Sequence, residues 1–169
     1  MGKIFKTELT EEKIIEILMN DFQKSSKYKI PNLYIFNWES DYLSYTESGY
    51  CYEIEVKISK ADFKHDFTKK SKHKMLQNDK KKNKPNYFYY AVPENLITED
   101  EIPSYAGLIY VRGRYCKIIK KAPRLHDEKL SEEKLKLTSK FYYNWLSQRE
   151  NNKKLKKIIK EIEERAESS

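Results

Sequence analysis

Asp41, Glu55 and Lys57 stand in two runs, SDYLSYT and YCYEIEVKI, that otherwise read as β-strands. The intervening ESG suits a three-residue hairpin loop, a type I turn closed by a left-handed residue at Gly49. Counting pairs back from Thr46 and Tyr50 puts Asp41 opposite Glu55. Side chains alternate along a strand, so Glu53, Glu55 and Lys57 share one face and Ile54, Val56 and Ile58 the other. Two carboxylates with β-carbons about 5 Å apart repel each other across the hairpin. Something positive should sit between them, either Lys57 or a divalent cation. For Mg²⁺, two carboxylate oxygens, waters and a substrate phosphate make an ordinary octahedral set. Such a cation polarises a phosphoryl oxygen and acidifies an attacking water, leaving Lys57 to orient that water or to offset developing charge. The chemistry is phosphodiester hydrolysis. The plain alternative is a charged surface strand in which Lys57 pairs with Glu39 across the ladder.

The elements that must position these groups follow from capping and periodicity. Thr10 can cap a helix to about Phe22, with Glu11 and Glu12 in its first turn and Ile14, Ile15, Leu18 and Phe22 on one face. NLYIF after Pro31 reads as a strand preceding the hairpin. Ser59 caps a helix through ADFKHDFTKKSKHKML, anchored by Phe63 and Phe67. NYFYYAV reads as a buried strand stopped by Pro93, and AGLIYV and YCKIIK flank RGR as a last hairpin with Gly113 in its turn. From Leu130 to Glu164 the pattern is helical, with a break near Asn151 and Asn152. The expected fold is α/β: an αβββαβ core with a mixed central sheet flanked by helices and a C-terminal helical extension. Tyr42, Tyr50 and Tyr52 fall opposite Glu55, on the face expected to be covered by helices. The domain reading is 1–126 for the core and 127–169 for an extension packed on it or on a partner.

With 169 residues the chain fits one main domain. A formal charge of +8 is the direction expected of a protein that meets phosphates. Cys51 and Cys116 form no CxxC pair, so neither a zinc site nor a disulfide framework is suggested. No signal-like run and no stretch of ~18 apolar residues appears, so the expectation is a cytoplasmic protein with no membrane partner.

Asp41 followed by Glu55-Val56-Lys57 in this αβββαβ setting resembles the PD-(D/E)xK nuclease superfamily, which implies a restriction-endonuclease-like fold. More narrowly, EIEVKISKADFKHDF, YFYYAVPENLI, IPSYAGLIYV and KAPRLH resemble the MmcB-related DNA repair family and its phage and bacterial relatives, over roughly residues 38–126. Ser40 stands where the motif has its proline. The resemblance implies a Mg²⁺-dependent (or Mn²⁺-dependent) nuclease acting on DNA, single-stranded, double-stranded or branched, in repair or phage DNA processing. It implies Asp41 and Glu55 as metal ligands, with Val56 counted beside them as a metal position, and Lys57 as the catalytic lysine. Glu11 joins the catalytic candidates, because nucleases of this superfamily can take an extra acid from the first helix.

Lys69, Lys70, Lys72, His73 and Lys74 lie in a lysine-rich stretch that is either a phosphate-tracking surface or a solvated helix end. Asp62 reads as a capping acid and Asp66 as a balance for nearby lysines. Two further readings stand beside the enzyme: a nucleic-acid-binding module with a silent site, and a protein-interaction or regulatory module. For the last, the helical extension would join a homodimer or a protein partner.

Overall fold

The computed structural model describes residues 8–167. They fall into two compact units, one running to Ser131 and one beginning at Glu132.

In the first unit, α1 (Glu11–Asp21) starts where Thr10, in extended conformation, accepts the Lys13 N–H on its hydroxyl. Strands β1 (Tyr28–Tyr34), β2 (Glu39–Tyr45) and β3 (Cys51–Val56) form an antiparallel meander. Tyr42 pairs with Ile54 and Tyr45 with Cys51, the register expected from the sequence. Gly49 closes the turn with φ +87°, and the Thr46 N–H donates to the Tyr50 carbonyl at 3.0 Å. β1 runs through Pro31 rather than starting after it. As an edge strand it can carry a residue without an N–H.

The helix expected from Ser59 onward is two helices, α2 (Lys60–Asp66) and α3 (Lys70–Gln77). At the break, i→i−3 bonds replace the α-helical ladder: Phe67 N–H to Lys64 O, Thr68 N–H to His65 O, and Lys69 N–H to Asp66 O. The Thr68 hydroxyl takes the His65 carbonyl as well, at 2.7 Å, which fixes the stop. The lysine-rich stretch that follows is partly tied down. Lys84 is buried, and its ammonium donates to the Leu76 and Asn78 carbonyls at the end of α3.

Strand β4 (Tyr87–Pro93) lies parallel to β3, and β5 (Gly107–Arg112) parallel to β4 after a short 3₁₀ turn at Glu99–Glu101. β6 (Tyr115–Lys120) returns antiparallel through a turn with Gly113 at φ +60°. The sheet is mixed and ordered β1-β2-β3-β4-β5-β6. This is the expected αβββαβ order, with the second helix divided.

Both faces of the sheet are covered. Ile14, Ile15, Ile17 and Leu18 of α1 pack with Tyr42, Ile54, Val56, Tyr89 and Ala91. On the other face, Phe63 of α2 and Leu76 of α3 pack with Phe88, Tyr90, Val92 and Leu108. Helices were expected over the tyrosine face; the carboxylate face is covered too, and Glu53 and Glu55 are buried beneath it.

The second unit is α4 (Glu132–Glu167), one continuous helix. The break expected near Asn151 and Asn152 is absent: asparagine lowers helix propensity only modestly, and the flanking Lys, Leu and Glu residues are strong helix formers. Leu155, Ile158, Ile159 and Ile162 are exposed along it. Among the described residues, no helix is long and apolar enough to cross a membrane.

Candidate active site

The hairpin register sets Asp41 one step beyond the Tyr42–Ile54 pair, across from Glu55. Asp41 Oδ2 accepts the Val56 N–H at 2.8 Å, which anchors its carboxylate against β3. Among the described residues no ion pair reaches Asp41. Burial and the facing Glu55 charge therefore push its pKa up, from an ordinary 3.8 to about 7.

Glu55 is in the opposite condition. Its Oε1 accepts from Lys57 Nζ at 2.8 Å and Lys69 Nζ at 2.9 Å, and its Oε2 from Lys72 Nζ at 2.6 Å. Burial alone would raise its pKa, but the Lys72 and Lys57 charges outweigh that and hold it below the usual carboxylate value. Lys72 also reaches Glu53 Oε1 at 2.9 Å and lies over the Phe88 ring. Although only 3% exposed, it stays charged because Glu53 and Glu55 outweigh burial and raise its pKa. Glu53 is fixed from the other side by the Trp38 indole N–H at 2.9 Å.

Asp66, at the end of α2, completes the cluster. Its Oδ2 accepts from the Tyr90 hydroxyl at 2.7 Å and lies 3.1 Å from His73 Nε2. Its Oδ1 faces the ammoniums of Lys69 at 3.1 Å and Lys57 at 3.4 Å. Burial opposes its charge, but the bonds from His73 and Tyr90 and the Lys57 charge hold its carboxyl well below the usual range. Three ammoniums thus face Glu53, Glu55 and Asp66, while Asp41 is a fourth carboxylate without an ion pair among the described residues. The Lys57 pKa is raised, burial being outweighed by Glu55 and Asp66, so the group is a standing cation and donor rather than a base.

No protein-family model matches the chain, and no curated protein does. Among solved structures, a protein of unknown function from Silicibacter pomeroyi is similar, with a TM-score of 0.61 at 16% identity, over 84% of this chain and 90% of that one. At that identity the likeness bears on the fold alone, and it agrees with the mixed-sheet α/β architecture.

Of the residues singled out in the sequence, Asp41, Glu55 and Lys57 come together. The Val56 contact with this site is its N–H, while its side chain is part of the core on the α1 face. Glu11 is exposed at the start of α1 and has no hydrogen bond or ion pair with the cluster; its charge is a minor influence raising the Asp41 pKa. Lys70 and Lys74 are exposed as a phosphate-tracking surface requires. Lys72 and His73 are not: both are buried, because the break after α2 rotates α3 so that they face the sheet. Lys69 is exposed, 49% at its side chain, yet pinned to Glu55 and Asp66. Asp62 lies in the first turn of α2, where Ser59 is the cap and accepts the Asp62 N–H on its hydroxyl.

The sequence did not reveal Glu53, Tyr90, Tyr105 and Trp38 as partners. Glu53 had a signal, since it shares a face with Glu55. The others are brought in from distant elements.

Among the described residues, no group of three or more His, Cys, Asp or Glu side chains is arranged to hold a metal ion. The cation donors on offer are the carboxylates of Asp41 and Glu55. Two hard oxygen donors facing each other, one lacking a counter-charge, suit Mg²⁺ or Mn²⁺ completed by water and phosphate.

Proposed function

We propose that the chain is a divalent-metal-dependent deoxyribonuclease that hydrolyses phosphodiester bonds at Asp41, Glu55 and Lys57. The observation that carries this reading is Asp41, a largely buried carboxylate set against Glu55 with no ion pair among the described residues.

Bound between these carboxylates, a hard divalent cation would polarise the scissile phosphoryl group and acidify water. The chain's own residues do the rest. Asp66, tied to Tyr90 and His73, helps hold the Lys57 ammonium beside Glu55. Lys57 then offsets the charge that builds on the phosphoryl oxygens in the transition state. Lys72 keeps Glu55 ionised and oriented from beneath. Of the three ammoniums on Glu55, Lys69 alone is substantially exposed, so it is the one able to withdraw to solvent when a cation takes its place.

A second reading, a nucleic-acid-binding module without hydrolysis, is favoured by one fact: both Glu55 oxygens already carry ammonium donors. Calorimetric titration of Mg²⁺ and Mn²⁺ into the wild type, Asp41→Asn and Glu55→Gln separates the two. The nuclease reading expects binding by the wild type and its loss in both variants. Absence of binding by the folded wild type would favour the module.

A further inference from the structure

The four lysines around α3 divide into two pairs. Lys69 and Lys72 point at carboxylates. Lys70 and Lys74, one helical turn apart, are exposed and have no ion-pair partner among the described residues. Both line an open surface pocket of about 320 Å³, together with Phe67, His73, Gln77 and Tyr105. That volume lies at the small end of ligand sites.

Its walls are specific. The break between α2 and α3 leaves the Phe67 ring 37% exposed, packed edge-on against Phe63 and tilted 31° to the His73 imidazole at 5.1 Å. His73 is fixed at both nitrogens, by the Tyr105 hydroxyl at 2.7 Å and by Asp66. A rigid aromatic wall beside two unneutralised ammoniums suits a planar aromatic group carrying a phosphate. The pocket adjoins the carboxylate cluster through His73 and Asp66, which in turn meets Lys57.

We infer that this pocket holds one nucleotide of a DNA single strand, its base stacked on Phe67 and its phosphate on Lys70 and Lys74. The inference deepens the nuclease reading by naming a substrate-holding subsite beside the reacting centre. Single-stranded DNA is favoured because a base inside a duplex does not offer its face to a side chain.

The test is binding of a fluorescently labelled oligodeoxythymidine in EDTA, where no cleavage occurs, over a range of salt. The variants are Phe67→Leu, which keeps apolar packing but removes the π-face, and the pair Lys70→Gln with Lys74→Gln. The pocket predicts roughly tenfold weaker binding for Phe67→Leu, the scale of one base stacked on an aromatic ring. It predicts a salt slope lower by roughly 1 for the lysine pair.

No binding by the wild type, or wild-type affinity and salt slope in the pocket variants, would overturn the inference. Cleavage with Mg²⁺ distinguishes the two failures. Cleavage with unaffected pocket variants leaves the nuclease without this subsite, whereas pocket-dependent binding without cleavage leaves the subsite on a binding module.

Discussion

Replacing Asp41 by asparagine should stabilise the protein, by an amount that depends on pH. Folding raises the Asp41 pKa from 3.8 to about 7, so the folded chain holds this proton more tightly than the unfolded chain does. Below 3.8 both states are protonated and the group is neutral in the balance. As pH rises toward 7, the unfolded state ionises first and stability falls by about 1.4 kcal/mol per pH unit; above 7 the loss is constant. Over that interval of about three pH units the penalty reaches on the order of 4 kcal/mol. The asparagine side chain would keep an oxygen for the Val56 N–H while carrying no charge. Urea unfolding of both proteins should therefore give matching stabilities near pH 4, with a gap opening in favour of Asp41→Asn that levels off near pH 7. The groups away from this pair act alike in both proteins, so the difference reports Asp41 together with its repulsion by Glu55. Saturating Mg²⁺ should close the gap by supplying the missing counter-charge. Parallel pH curves, or a less stable variant near pH 8, would refute the reasoning.

Glu55→Gln should lower stability, by about 3 kcal/mol in urea unfolding, because it leaves Lys72 buried with half of its neutralisation gone; an unchanged midpoint would show that the lysines do not depend on Glu55. Asp66 and Glu55 both titrate below the usual carboxylate range, so the stability they contribute is full above the ordinary values and is lost as pH falls through the lowered ones. The acid-unfolding limb of Asp66→Asn should accordingly be shallower than that of the wild type, and an identical limb would count against the Asp66 network. At Gly107 an added Cβ would meet the Tyr89 ring and come within 2.7 Å of the Ala122 nitrogen. Gly107→Ala should lose about 1–3 kcal/mol through overpacking, and a thermal midpoint equal to that of the wild type would contradict this.

The hairpin was legible because its rules are local. Alternation, the Gly49 turn and the Asp41–Glu55 facing depend on residues within one short span, and the register follows from the loop. The lysine-rich helix was not legible in the same way. Its break rests on Thr68 taking the His65 carbonyl, a small local competition, yet it decides that Lys72 and His73 face inward while Lys70 and Lys74 face out. Charge alone marked all of them as surface groups. Glu55→Gln shows the consequence. From the sequence it should only relieve a like-charge pair and leave stability equal or higher, whereas three lysines, one just after β3, one in α3 and one in the turn before α3, converge on that carboxylate. Tyr90, Tyr105 and Trp38 enter through long-range packing that no spacing encodes.

The central claim is metal-dependent hydrolysis that requires Lys57. Its most direct test is cleavage of labelled single-stranded, double-stranded and branched DNA with Mg²⁺ or Mn²⁺, comparing wild type with Lys57→Ala after circular dichroism has shown both to be folded. The account predicts cleavage by the wild type that needs the metal and is lost in the variant. No cleavage of any substrate by folded, metal-supplied wild type, or equal cleavage by Lys57→Ala, would contradict it.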